Sequence, residues 1–370
     1  MYYKYPNKAF TLHIRLTKDC NAHCSYCSSA GLKEGRMTTK DFKTSIDWIA
    51  DVFFKKLHIG KQHNLEIEYI GGEILLIPPA ELKDNVEYAR EKFKPIVSEI
   101  KDGAQSNLLG SDRKIDNLID LFGKNIGTSW DTKSGQRHIN GDSQLYNLLL
   151  EKSLKHMETR NINPGRVYVI DRFSIKTAED EIHRAIRYGY DLILRPVFQG
   201  GSKVEPANIE ELKEIYHKCF KIWAESDKKT RIEPFHSFFN KQSYDLGIDK
   251  TPRQGINNNA CPFQSNCAFK SLSLEPDGDI YICQEMADSN NYPLGNAITG
   301  TLNNNTWKML AKRNLMLADD CQKCQWKNLC QGGCMNEAIE HHGDPFSKTE
   351  LCELWKQVFK DIDEQLLKQT

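Results

Sequence analysis

The feature that most constrains the fold is an alternation of strand-like and helix-like segments over residues 10–200 of the 370-residue chain. Strand patterns lie at 10–16, 65–70, 104–109, 125–130, 165–170 and 191–197, and helical periodicity lies at 38–57, 79–100, 113–121, 143–160 and 178–188. Strands that alternate with helices form a parallel sheet. Six units are fewer than the eight of a closed barrel, so the sequence predicts an α/β fold, an open partial (β/α)6 barrel.

The chain is too long for one ordinary core, and its composition changes along its length. We predict a barrel domain at 1–205, a linking helical segment at 206–254, and a cysteine-rich C-terminal domain with a closing helix at 255–370. Periodicity is weak after residue 255, so the last domain is expected to depend on metal for its fold. The Asp277 and Gly278 pair lies between two strand-like runs and predicts a hairpin.

Charge and hydropathy exclude several classes of protein. Fifty basic residues balance fifty acidic ones, so no overall field attracts nucleic acid or an anionic membrane. No apolar run approaches the roughly 20 residues that a membrane-spanning helix needs. The first residues lack the apolar core of a signal peptide. We therefore expect a cytoplasmic protein without nucleic-acid or membrane partners.

Twelve cysteines form two groups, one near each end of the chain, with Cys219 alone between them. In a reducing compartment, clustered cysteines are better interpreted as metal ligands than as disulfides. Cys219 lies within an apolar helical pattern and is expected to be a buried core residue. The other eleven cysteines are therefore the candidate ligands.

The first group is a C-x3-C-x2-C loop formed by Cys20, Cys24 and Cys27, directly after the first predicted strand. A set made only of thiolates favours iron–sulfur or zinc chemistry. Zinc sites that serve structure usually close with four ligands, so three thiolates leave one coordination position open. Its position also matters, because parallel α/β folds carry their active sites at the carboxyl ends of the strands.

This loop, with Tyr26 before its third cysteine, resembles that of the radical S-adenosylmethionine (SAM) superfamily. Further segments match the family in order: Gly71, Gly72 and Glu73 resemble its GGE motif, and Gln105, Ser106 and Asn107 resemble its Q-T-N segment. Ser129 and Asp131, with Arg137, resemble its S-x-D…R segment, and Arg195 lies on the sixth strand at a depth that suits an inward side chain.

The resemblance implies a SAM-binding [4Fe–4S] cluster on Cys20, Cys24 and Cys27, with SAM chelating the fourth iron. The GGE backbone and carboxylate would hold the methionine amino group, and Ser129 would contact the SAM ribose or carboxylate. Gln105, Asn107, Asp131 and Arg195 are the remaining expected cofactor contacts. The implied reaction is reductive SAM cleavage to a 5′-deoxyadenosyl radical, which abstracts hydrogen from an unactivated carbon.

The second cysteine group resembles the SPASM extension of peptide- and protein-modifying radical SAM enzymes. That resemblance implies two auxiliary [4Fe–4S] clusters, and thus three clusters in all. One auxiliary cluster would use Cys261, Cys267, Cys283 and Cys334, and the other would use Cys321, Cys324, Cys330 and Cys352. A pair of zinc knuckles is the rival interpretation. Fully ligated clusters would accept an electron from the substrate, although a structural role is also open.

The expected function is oxidative modification, such as crosslinking, of a ribosomally synthesised peptide. The cysteine spacing closely matches the anaerobic sulfatase-maturating enzymes, which oxidise Cys or Ser to formylglycine. In that group an aspartate general base follows the hairpin cysteine, whereas Gln284 follows Cys283 here, and strand alternation would point Glu285 to the other face. Sulfatase maturation is therefore the second hypothesis, with peptide epimerisation beside it, and an iron–sulfur electron carrier is the least favoured.

The expected partners follow from this function. They are a peptide or protein substrate and an electron donor such as flavodoxin or ferredoxin. Only about nine residues precede the first predicted strand, so leader-peptide recognition is expected to need a separate protein or the enzyme's own surface. The sequence assigns no catalytic acid or base.

Overall fold

Seven parallel strands form the centre of the computed structural model, which describes residues 8–29, 35–131, 134–198, 204–227, 229–248, 261 and 267–368. They are β1 (Lys8–Arg15), β2 (His63–Ile70), β3 (Glu99–Gln105), β4 (Ile126–Ser129), β5 (Gly165–Ile170), β6 (Leu192–Pro196) and β7 (Ile232–Glu233). Each pairs in parallel with the next along the chain. The predicted partial-barrel class is confirmed.

Helices connect these strands on the outer side of the sheet. They are α1 (Thr39–Trp48), which continues through a π-helical turn (Ile49–Phe53) into α2 (Phe54–Lys56), then α3 (Pro79–Phe93), α4 (Asp112–Phe122), α5 (Ser143–Thr159), α6 (Ala178–Tyr188) and α7 (Ile209–Glu225). In α4 the buried residues Ile115, Leu118, Ile119 and Phe122 recur at helical spacing, and the helix ends at Gly123, whose φ of 58° is left-handed.

The C-terminal residues extend the same sheet from its first strand. β8 (Ser271–Leu274) pairs in parallel with β1, and β9 (Asp279–Tyr281), β10 (Gly295–Asn296) and β11 (Thr301–Leu302) continue antiparallel. The resulting order is β11-β10-β9-β8-β1-β2-β3-β4-β5-β6-β7. The predicted hairpin is present, with Gly278 at its turn (φ 87°).

The remaining helices are short except for the last one. They are α8 (Phe235–Asp245), α9 (Gln284–Asp288), α10 (Asn304–Leu310), α11 (Arg313–Met316), α12 (Asp319–Gln322), α13 (Lys327–Cys330), α14 (Met335–His342) and α15 (Cys352–Leu367). Short 3-10 turns occur at Ile74–Leu76, Ser174–Thr177 and Cys267–Phe269. Among the described residues, no helix is both long and apolar enough to cross a membrane.

The third strand is the main difference from the sequence-based prediction. It was expected at 104–109 but runs over Glu99–Gln105. The apolar residues Leu108 and Leu109 follow the strand and are buried in the core, with Leu108 at a φ of 61°. The apolar residues at 108–109 therefore mark a buried segment that follows the strand. The strand itself is mostly polar in sequence, which is why the apolar pattern did not locate it.

Alternation within the strands separates an apolar core face from a polar face. Leu12 and Ile14 of β1 are fully buried in the core that packs under the helices. His13 and Arg15 alternate with them and therefore point to the opposite face. Register pairs His13 with Glu68 of β2, so titratable side chains line this concave face, which we call the lumen.

Substitution of Trp223 tests the packing of the second hydrophobic core, which α7 shares with α8 and α15. The side chain is 1% exposed, and its indole N–H donates to the Thr230 carbonyl over 3.1 Å. We expect Trp223→Ala to lower the free energy of unfolding by about 3–5 kcal/mol, through lost burial and a cavity. Urea unfolding followed by circular dichroism measures this change.

Leu148→Ala is the control, because Leu148 is 66% exposed on α5. Its effect should stay within about 0.5 kcal/mol of zero. Equal effects of the two variants would show that Trp223 does not anchor a core.

Candidate functional site

The first cysteine loop begins directly after β1, at the carboxyl edge of the parallel sheet. A turn closes it, in which the Cys27 N–H donates to the Cys24 carbonyl over 3.1 Å. Partial desolvation of the thiol raises the pKa of Cys20 to about 11, and the nearby thiols of Cys24 and Cys27 act in the same direction. The three predicted ligands therefore lie within electrostatic range of one another, with Cys20 exposed and the other two half-buried.

The two glycines of the GGE motif pack against this loop. The Gly72 N–H donates to the Thr17 carbonyl over 2.9 Å, and the Glu73 N–H donates to the Asp19 carbonyl over 2.8 Å. A Cβ atom on Gly72 would lie 2.0 Å from the Asp19 carbonyl oxygen. Gly71 has a φ of 137°, which side chains rarely adopt. The motif thus fixes the backbone immediately before the cysteines.

The Glu73 carboxylate joins β2 to the end of β3. It is 1% exposed and accepts hydrogen bonds from the Leu75 N–H (2.9 Å), the Ser106 hydroxyl (2.7 Å) and the Asn107 N–H (2.6 Å). Three protein donors therefore occupy the group that was expected to hold the methionine ammonium. This geometry favours a positioning role for the carboxylate.

Asn107 reaches from the end of β3 to the cysteine loop. Its amide donates to the Asn21 side-chain oxygen over 2.7 Å and points at the Cys20 sulfur over 3.7 Å. Gln105 donates to the Ser129 hydroxyl over 3.4 Å, so the predicted polar ends of β3 and β4 meet on the lumen side. The Q-S-N and S-x-D segments are therefore adjacent to the loop.

A buried polar network braces the loop from its other side. Tyr26 donates to Asp131 over 2.8 Å and accepts from Arg137 over 3.0 Å. The Arg137 Nε also donates to the Tyr146 hydroxyl over 2.7 Å. Burial raises the pKa of Tyr26, which keeps its hydroxyl protonated as a donor. Sequence reasoning missed Tyr146, because its helical pattern marks it only as a core residue.

A second unpredicted contact joins the loop to the C-terminal part of the chain. Arg15 forms buried ion pairs with Glu275 (3.0 Å) and Asp288 (2.6 Å). Asp288 also accepts hydrogen bonds from Ser28 (2.6 Å) and Ser29 (2.9 Å), the two residues after Cys27. One carboxylate therefore fixes both β1 and the exit of the cysteine loop.

Arg195 lies on β6, at the lumen, and forms an ion pair with Glu285. The prediction that Glu285 faces away is wrong, because the chain after Cys283 turns into α9 and strand alternation does not apply. His13 lies beside this pair, and burial lowers its pKa to about 4, with Glu285 acting in the opposite direction. The lumen therefore contains the neutral imidazole of His13 next to the Glu285 carboxylate, which is held by its ion pair with Arg195.

Electrostatic influence links the C-terminal cysteines in two groups. Cys283 lies within electrostatic range of Cys334 and Cys261, and Lys270 is influenced by both Cys267 and Cys261. Cys330 lies near Cys352, Cys321 and Cys324. We call these the inner set (Cys261, Cys267, Cys283, Cys334) and the outer set (Cys321, Cys324, Cys330, Cys352). Cys219 is fully buried in the core, as expected.

The donor chemistry of these sites is thiolate only. Sets made only of thiolates suit iron–sulfur clusters or zinc. Among the described residues, no three His, Cys, Asp or Glu side chains are arranged to hold a single metal ion, although cysteines act on one another's pKa.

Comparison with known proteins shows the same architecture in solved structures. The structure of polyhistidine-tagged anSMEcpe with bound AdoMet superposes with a TM-score of 0.77 at 17% identity, covering 98% of this chain and 94% of that one. Streptococcus suis SuiB bound to its precursor peptide SuiA superposes with a TM-score of 0.61 at 15% identity, covering 94% of this chain and 76% of that one.

Sequence comparison adds less. No protein-family model matches the chain. An uncharacterized protein of Archaeoglobus fulgidus is 21% identical over 374 aligned positions, which cover 96% of this chain and 81% of that protein. The structural similarities show that this chain shares the fold of these solved structures, including the C-terminal extension of the sheet.

Gly72→Ala tests the contact between the GGE motif and the cysteine loop. The new methyl group would displace the backbone at Asp19, so we expect reconstituted protein to lose iron from the first site and retain it at the others. Iron analysis measures the loss. Gly35→Ala is the control, because nothing lies within 4 Å of its added Cβ atom. Full iron content in Gly72→Ala would contradict this role of the motif.

Proposed function

We propose that this protein is a radical SAM enzyme that oxidatively modifies a ribosomally synthesised peptide. The observation that carries the proposal is the arrangement at the carboxyl edge of the barrel. There the three thiols of the first loop are braced by the GGE segment and by the Tyr26, Asp131 and Arg137 network, above a polar lumen. These contacts suit a site that must orient a cofactor.

Cys20, Cys24 and Cys27 would hold one [4Fe–4S] cluster, and the inner and outer sets would hold two auxiliary ones. Together with SAM, the first cluster would supply hydrogen-atom abstraction when bound. The chain's own residues would orient these groups: Gly71 and Gly72 allow close approach of the backbone, and Asn107 donates towards a ligand sulfur. The Glu73 carboxylate accepts a hydrogen bond from the Asn107 N–H and would thereby hold Asn107 in place.

The solved structures support a peptide as substrate. SuiB is described with a precursor peptide, and native anSMEcpe is described with the Kp18Cys peptide, at a TM-score of 0.75 to this chain. In this chain, His13, Arg195 and Glu285 line the lumen and would contact such a substrate.

The proposal also includes an electron donor such as flavodoxin or ferredoxin and a cytoplasmic location. A separate leader-binding protein is proposed as a further partner.

Formylglycine formation is the second candidate function, and one observation favours it more than the sequence did. Glu285 reaches the lumen next to Cys283, so a carboxylate is present near the place where the sulfatase-maturating enzymes carry an aspartate. Arg195 pairs with that carboxylate and satisfies it, which leaves it less available to accept a proton. Peptide modification therefore remains the leading proposal, with epimerisation as an outcome of the same test.

SAM cleavage is the first test of this function. We expect the reconstituted protein to form 5′-deoxyadenosine from SAM in the presence of a reductant, as measured by chromatography. Cys24→Ala should abolish that product, because it removes one of the three thiols. Cys219→Ser is a control, since Cys219 belongs to none of the three sets of candidate ligands. A protein that binds SAM but never cleaves it would contradict the proposal.

A peptide encoded beside the gene provides the second test. After co-expression, we expect the peptide mass to fall by two hydrogens, which indicates oxidation or crosslinking. Cys324→Ala should reduce this conversion more than it reduces SAM cleavage, because Cys324 lies in the outer set. An unchanged mass with altered stereochemistry would support epimerisation instead, and normal conversion in Cys324→Ala would contradict a required auxiliary cluster.

A further inference from the structure

A buried arginine lies at the point where the chain crosses between the two auxiliary cysteine sets. Arg313 begins α11 and is 4% exposed. Its guanidinium donates to the Gly332 carbonyl over 3.0 Å and to the Gly333 carbonyl over 3.4 Å, and it also contacts the Pro345 carbonyl. Gly332 and Gly333 directly precede Cys334.

The segment that links the two cysteine sets, residues 330–334, packs against this side chain. Residues 330–334 read C-Q-G-G-C, and their first cysteine belongs to the outer set while their last belongs to the inner set. Gly332 and Gly333 both have positive φ values, 81° and 73°. A Cβ atom on Gly332 would lie 2.5 Å from the Leu317 Cδ2 atom and 3.1 Å from the Arg313 Nη2 atom, so the backbone here packs closely on the guanidinium and on Leu317.

This cation has no carboxylate partner among the described residues. Its hydrogen bonds there all go to neutral backbone carbonyls. Arginine does not lose its proton in proteins, and an isolated buried charge is costly. The protein therefore needs another negative group nearby to stabilise this position.

The cysteine thiols are the candidates for that group. Burial lowers the pKa of Arg313, and Cys267 and Cys334 of the inner set and Cys321 and Cys330 of the outer set act against this. Cysteines of both sets thus lie within electrostatic range of one guanidinium.

We propose that Arg313 is the shared counter-charge of the two auxiliary clusters and raises the reduction potential of both. The inference rests on the proposed function, because it requires clusters in both sets. A cluster with four thiolate ligands is negative overall, and reduction makes it more negative. A fixed cation therefore favours the reduced form and raises the potential of each cluster that it faces.

Potentiometry tests this directly. In full-length protein carrying Cys24→Ala, only the auxiliary clusters give a signal. This signal is followed by electron paramagnetic resonance during anaerobic redox titration. Arg313→Gln removes the charge but keeps an amide donor for the glycine carbonyls. Arg313→Lys keeps the charge. Lys312→Gln removes the same charge from a neighbouring residue that is not buried and is the matched control.

We expect Arg313→Gln to shift both midpoint potentials to more negative values, while Arg313→Lys and Lys312→Gln stay close to the parent. Loss of iron from both sets in Arg313→Gln, with iron retained in Arg313→Lys, would equally support a shared counter-charge. Unchanged potentials in Arg313→Gln, or the same change in Arg313→Lys, would overturn the inference. Failure of the parent protein to bind auxiliary iron would instead contradict the proposed function.

Discussion

The rest of the structure depends on the buried ion pairs between Arg15 and the two carboxylates of Glu275 and Asp288. These residues lie 260 and 273 positions apart from Arg15 in sequence, and both partners are nearly inaccessible to solvent. Breaking a buried pair leaves an uncompensated charge, so such pairs specify one arrangement even where their net stabilisation is small. Here they fix the C-terminal segment on β1.

That constraint makes the barrel and the C-terminal segment one structure. β8 pairs with β1, and Asp288 also holds the residues that follow Cys27. The first loop is therefore positioned by the same segment that carries Cys283. Because α9 starts directly after Cys283, one helical turn places Glu285 in the lumen. Any chemistry in the lumen thus takes place beside both the first loop and the inner set.

The sequence predicted the alternating strands, the cysteine groups and the polar ends of β3 and β4, because periodicity and spacing are local signals. It placed β3 too late, since buried Leu108 and Leu109 resemble a strand without being one. It also missed Asp288 and misjudged Glu285. Both errors have one cause: the chain direction after Cys283 depends on long-range packing, which no local pattern encodes.

The buried arginines show how the charges are distributed within a chain whose formal net charge is zero. Arg15 forms ion pairs with two carboxylates. Arg137 lies 3.9 Å from Asp131 and donates hydrogen bonds to the hydroxyls of Tyr26 and Tyr146. Arg313 is equally enclosed, yet its hydrogen-bond partners in the described part of the chain are backbone carbonyls, and the nearby charges that act on its pKa are those of cysteines. The charges of the first two are compensated within the protein itself. Under the proposed function, the charge of the third would be compensated by thiolates that bound iron keeps deprotonated.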